Sequence, residues 1–153
     1  MLIDSHCHLD RLDLTPYGND FASFMQAAEQ HDIHHLLCIA IDLENYADML
    51  TLVQNYPQIS VTVGVHPNVK ECKEPSVAEL IELGRSGKVI GIGETGLDYF
   101  RSEGDLSWQH QRFRRHIQAA KSLKKPLIIH TRDARDDTLK ILQEENAVDV
   151  GGI

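Results

Sequence analysis

The chain is short of several things, and each shortage narrows its class. It has three cysteines, Cys7, Cys38 and Cys72, an odd number with no paired spacing. That argues against a disulfide framework and fits a reducing compartment. No segment approaches the ~18 uninterrupted apolar residues that cross a bilayer, so no membrane partner is expected. The first residues lack both a basic stretch and the apolar core of a secretory signal. A cytoplasmic location is therefore the expectation. Positive charge is also scarce: 15 Lys and Arg stand against 23 Asp and Glu, a formal net charge of −8. A protein that grips nucleic acid through a broad basic surface has the opposite sign. Any nucleic-acid contact must be local, where bound cations reverse the field.

What remains is an ordinary globular composition, 42% apolar over 153 residues, enough for one domain with a real core. Six apolar runs punctuate it: Leu2–Ser5, His34–Ile41, Ile59–Val65, Val89–Gly93, Leu127–Ile129 and the beginning of a sixth at Val148–Ile153. Helical patterns lie between them. Asn19 or Asp20 can cap a helix carrying Phe21, Phe24, Met25 and Ala28. Tyr46, Leu50 and Val53 form a second stripe that ends at Pro57. Ser76 with Glu79 reads as a capping box. A longer helix is predicted over roughly Leu106–Leu123, with Phe113, Ile117, Ala120 and Leu123 inward. Asp133 can cap the last, with Leu139 and Leu142 inward. Strand and helix alternate throughout, the signature of βα units feeding a parallel sheet. The fold class is α/β.

The strand ends carry the chemistry. Residues two apart on a strand face the same side, so His6 and His8 can hold one cation while Cys7 turns to the outer layer. The third strand runs into Val65-His66-Pro67, the fourth into Gly93-Glu94-Thr95-Gly96-Leu97-Asp98-Tyr99, the fifth into Ile129-His130-Thr131-Arg132-Asp133. In a barrel of parallel strands, functional groups gather at that rim. Histidines and acids on four of five strand ends are poor core material, since charge is buried only when paired or metal-bound. His6 and His8 suit one metal and His130 a second, with Glu94 able to bridge both. Two such cations clamp a scissile phosphate and activate water. The remaining histidines, including His110 and His116 on the long helix, are expected to be solvated.

The segments Asp4-Ser5-His6-Cys7-His8-Leu9-Asp10, Gly64-Val65-His66-Pro67, Gly91-Ile92-Gly93-Glu94-Thr95-Gly96-Leu97-Asp98-Tyr99 and Ile129-His130-Thr131-Arg132-Asp133-Ala134 resemble, in order and spacing, the TatD family of metal-dependent deoxyribonucleases. The resemblance implies a (β/α)8 TIM-type barrel and two divalent ions. It also implies hydrolysis of DNA phosphodiesters, often from an end or on single strands. It implies that His6 and His8 bind the first ion, that Glu94 is shared and catalytic, and that His130 binds the second. Zinc, manganese, nickel or magnesium would suit such donors. His66, Asp98 and Arg132 fall in the same motifs as candidate substrate contacts. Arg132 suits a phosphate, or equally a carboxylate such as Asp98 or Asp133. His66 suits substrate contact or a structural hydrogen bond beside the metals.

The chain also departs from that pattern. A full barrel takes ~250 residues, whereas this sequence spans five βα units and stops inside the sixth strand. Residues 1–153 thus read as the N-terminal part of such a domain. The family's strand-six histidine and strand-eight aspartate have no counterpart here. A partial barrel is expected to self-associate over its open edge. Two other functions stay open: a metal-dependent amidohydrolase acting on a small ester, amide or phosphoester, and an inactive truncated remnant. Glu94, where many amidohydrolases place a modified lysine, favours the nuclease.

Overall fold

A computed structural model describes all 153 residues. Five parallel strands, β1 (Leu2–Cys7), β2 (Ile33–Cys38), β3 (Ile59–Val63), β4 (Val89–Asp98) and β5 (Leu127–Arg132), lie in the order of the chain. Helices α1 (Phe21–Gln30), α2 (Tyr46–Val53), α3 (Val77–Gly84), α4 (Ser107–Leu123) and α5 (Arg135–Glu144) alternate with them. The result is the curled half of a (β/α)8 barrel. No helix is long and apolar enough to cross a membrane.

The main core lies between sheet and helices. Val61 and Val63 of β3, Ile92 of β4 and Leu127 of β5 meet Met49, Val53, Phe113, Ile117 and Ala120 there. Each large apolar side chain so buried stabilises the fold by ~1.5–3 kcal/mol. A smaller cluster, Leu37, Ile39 and Ile128, occupies the opposite, inner face. Alternation along β5 sorts its residues: Leu127 and Ile129 pack toward the helices, Ile128 toward the inside. His130 and Arg132 therefore follow Ile128 onto the inner face, while Thr131 turns outward to Thr138 of α5 at 3.0 Å. Two sequence-derived caps are present, Asp20 accepting from the Ser23 N–H at 2.8 Å and Ser76 from Glu79 N–H at 3.1 Å.

Gly96 is a position only glycine can fill. Its φ is +139°, and a Cβ there would lie 2.0 Å from the His130 carbonyl oxygen. The missing side chain lets β4 and β5 approach at the residues that carry the site.

Four expectations need correction. α5 begins after Ala134, which has no side-chain cap, and Asp133 instead adopts φ +54°. Leu139 faces outward, the inward positions being Thr138 and Ile141. Met49 rather than Leu50 completes the buried stripe of α2. The sixth apolar run is mostly not strand: Ala147–Asp149 form a 3-10 turn, and Gly152 alone bridges to Leu127. Hydrogen bonds between Ile153 and the backbone of Leu127 and Ile129 nevertheless lay its end along β5.

Candidate metal centre

Two groups of donors meet on Glu94. His6, His8 and Glu94 form one, His66, Glu94 and His130 the other, and within each the candidate ligand atoms lie within 4.8 Å of one another. Glu94 divides its oxygens between them. Oε2 lies 3.3 Å from His6 Nε2 and 3.9 Å from His8 Nε2. Oε1 lies 3.2 Å from His130 Nδ1 and 3.8 Å from His66 Nε2. The carboxylate is 7% exposed. Burial alone would raise its pKa, but the His130 hydrogen bond and the imidazoles of His66 and His6 outweigh burial and hold it below the usual glutamate range. The buried carboxylate is therefore ionised.

Tautomers tell how the histidines can serve. His8 Nδ1 lies 2.9 Å from the Ile39 carbonyl, so that nitrogen carries the proton and donates. Nε2 is left as a lone pair facing a carboxylate, an arrangement that needs a cation between the two acceptors. His130 repeats the pattern with its nitrogens exchanged. Nε2 donates to Asp98 Oδ2 at 2.8 Å, leaving Nδ1 toward Glu94. Without a cation, the Glu94 hydrogen bond raises the His130 pKa against burial, and Asp98 adds to the rise. This donor set, imidazole lone pairs with a shared ionised carboxylate, fits divalent transition metals.

His66 differs. Its Nδ1 accepts the Asn68 backbone N–H at 3.1 Å. Burial lowers its pKa to about 4, against the pull of Glu94. The neutral ring then carries its proton on Nε2, which approaches His130 Nδ1 at 3.1 Å. His66 is built to donate from Nε2, even though it stands among the ligands.

Behind these residues lies a supporting layer: Asp98, a candidate substrate contact in the sequence, meets His130, and residues of α4 that the sequence did not announce hold it. Asp98, buried at the end of β4, also accepts Asn68 Nδ2 at 2.7 Å and the Phe100 N–H at 3.0 Å. Gln109 of α4 clamps the Asp98 backbone, accepting its N–H at 2.8 Å and donating to its carbonyl at 2.9 Å. Arg112, one turn on, donates to the carbonyls of His66 and Val69 at 2.9 and 2.8 Å and pairs with Glu74. His116 was expected in solvent and is fully buried. Its Nε2 accepts the Val65 N–H at 3.0 Å, so it holds the residue before His66. The available signal was spacing: Gln109, Phe113, His116 and Ala120 share one helix face, and two of them are polar. Arg132 meets no carboxylate; its guanidinium lies 3.6 Å from the centre of the Phe100 ring.

The TatD related DNase family model matches residues 3–153. Over 152 residues the chain is 40% identical to the uncharacterized metal-dependent hydrolase YcfH of Escherichia coli K12, covering 99% of this chain and 57% of that protein. It is 30% identical over 140 residues to deoxyribonuclease Tat-D of Schizosaccharomyces pombe, covering 84% of this chain and 45% of that one. The crystal structure of YjjV, a TatD homologue from Escherichia coli K12, superposes with a TM-score of 0.80 at 28% identity, over 95% of this chain and 56% of that chain. The chain thus spans about half the length of these relatives. Strand order, shared carboxylate and family match lead to one assignment: this chain belongs to the TatD-related metal-dependent hydrolases.

Proposed function

We propose that this chain carries the N-terminal half of a DNA phosphodiesterase site that uses two divalent cations. The observation that carries the proposal is Glu94, whose two oxygens serve two separate histidine groups. The name of the Schizosaccharomyces pombe relative supports DNA as the substrate. His6 and His8 would hold one cation with Glu94 Oε2, and His130 Nδ1 the other with Oε1. Bound there, such cations lower the pKa of water and neutralise charge on a phosphate.

The chain's own residues do the rest. Glu94 keeps the pair of sites together and remains ionised while buried. Asp98 holds the His130 proton on Nε2, so that Nδ1 stays a lone pair. His66 offers an Nε2–H to an anionic oxygen in the pocket, and Arg112 and His116 hold the segment that carries it.

The test is release of nucleotides from single-stranded DNA with magnesium, manganese or zinc, compared between parent and Glu94→Gln. Metal-dependent release that the substitution abolishes supports the proposal. Release that survives Glu94→Gln overturns it, as does a parent that binds none of the three metals in calorimetric titration.

A further inference from the structure

Five of the chain's arginines pair with acids: Arg11 with Asp42, Arg85 with Glu82, Arg112 and Arg115 with Glu74, and Arg114 with Glu144 and Glu145. In a chain of net charge −8, that is what chance proximity to carboxylates would give. Arg101, Arg132 and Arg135 have no such partner, and the first two meet at one side chain. Arg101 comes from the segment between β4 and α4 and Arg132 from the end of β5, yet the guanidinium carbons of these two lie 4.8 and 3.6 Å from the centre of one ring, Phe100. Neither makes a salt bridge. Two like charges thus share one aromatic ring.

The position of that surface is fixed. The Phe100 N–H donates to Asp98 Oδ1 at 3.0 Å, while Asp98 Oδ2 accepts from His130 Nε2 at 2.8 Å. Ser102 closes the loop by donating to the Asp98 carbonyl at 2.9 Å. One buried carboxylate therefore ties the ring to the metal group. Tyr99 N–H donates to the Arg132 carbonyl at 2.8 Å, which locks the two strands at the same level. His130 and Arg132 share the inner face of β5, two residues or ~6.6 Å apart. That step is comparable with the spacing of successive phosphates along an extended single strand.

We infer that Arg101, Phe100 and Arg132 form a subsite for the phosphate next to the scissile one in a single-stranded nucleic acid. The inference rests on the phosphodiesterase function proposed above and adds where the rest of the substrate lies. Guanidinium forks bind phosphate oxygens. The ring holds both forks in place through cation–π contact. The local positive charge is the footprint that the overall acidity would otherwise deny to a nucleic-acid ligand.

The experiment is binding of a short fluorescein-labelled oligothymidylate, followed by anisotropy in EDTA across a sodium chloride series. Each phosphate contact contributes ~0.7 to the slope of log affinity against log salt for single strands. The double variant Arg101→Ala/Arg132→Ala should weaken binding about tenfold or more and flatten the slope by ~1.4. Arg101→Lys/Arg132→Lys keeps the charges and should keep most of the slope. A parent that does not bind, an alanine pair that binds with unchanged slope, or a lysine pair as weak as the alanine pair overturns the subsite. No cleavage occurs in EDTA, so the two proposals fail separately. An oligonucleotide bound as expected, whose metal-dependent release survives Glu94→Gln, overturns only the phosphodiesterase function. One that is cut, yet binds with an unchanged slope in the alanine pair, overturns only the subsite.

Discussion

Asp98 Oδ2 accepts a hydrogen bond from His130 Nε2 at 2.8 Å, and this sets which face of the imidazole meets Glu94. The carboxylate is buried and accepts two further hydrogen bonds, from Asn68 and Phe100, while Gln109 clamps the backbone of the same residue. Its role is to aim a ligand, so its loss should be felt in metal binding before anything else.

In Asp98→Asn, calorimetric titration with manganese or zinc should show the weaker or second binding event reduced ~10–100-fold, the range for loss of an orienting carboxylate. The event assigned to His6 and His8 should stay within a few-fold of the parent. Equal weakening of both events would contradict the division of labour around Glu94.

Gly96→Ala should destabilise the fold by about 3 kcal/mol, from steric crowding and the positive φ together. The Cβ would meet the His130 carbonyl at 2.0 Å. For a chain of this size the thermal midpoint should fall by roughly 6–12 °C. A variant melting with the parent would show that β4 and β5 have room to separate.

His116 gives a pH signature. Burial lowers its pKa to about 4 against the hydrogen bond to the Arg112 carbonyl, with the Arg112 charge helping to lower it. Nδ1 donates to that carbonyl at 2.8 Å and Nε2 accepts from Val65, so the native ring must be neutral. The unfolded chain takes up its proton near pH 6.5. Between that pH and about 4 the unfolded state binds more protons, so stability falls as pH falls. The contribution is complete above pH 6.5 and declines steadily down to about pH 4. From pH 7 to 5 the parent should lose ~2 kcal/mol more than His116→Gln in urea unfolding. Parallel losses in the two proteins would contradict a buried neutral ring.

These residues also mark where the sequence was legible. That His6, His8, Glu94 and His130 come together could be read, because strands place alternate residues on one face and parallel strands end at one rim. Gln109, Arg112 and His116 could not be assigned, because their partners lie on other elements: Asp98, His66 and Val65. A polar residue on an amphipathic helix is solvated unless some distant group meets it, and spacing alone does not name that group. Leu139 was misplaced for a related reason. It and Leu142 are neighbours by helical spacing, but Thr138 finds Thr131 and the Ala134 carbonyl, and this turns the helix. The sixth run is apolar enough for a strand, yet Val148 is spent in a 3-10 turn before pairing begins.

The account depends on Glu94 serving two cations at once. Anomalous scattering from crystals grown with manganese or zinc tests this directly. It should place one peak among His6, His8 and Glu94 Oε2, with a second beside His130 Nδ1 and Glu94 Oε1. Metal bound elsewhere, with Glu94 left uncoordinated, would contradict it.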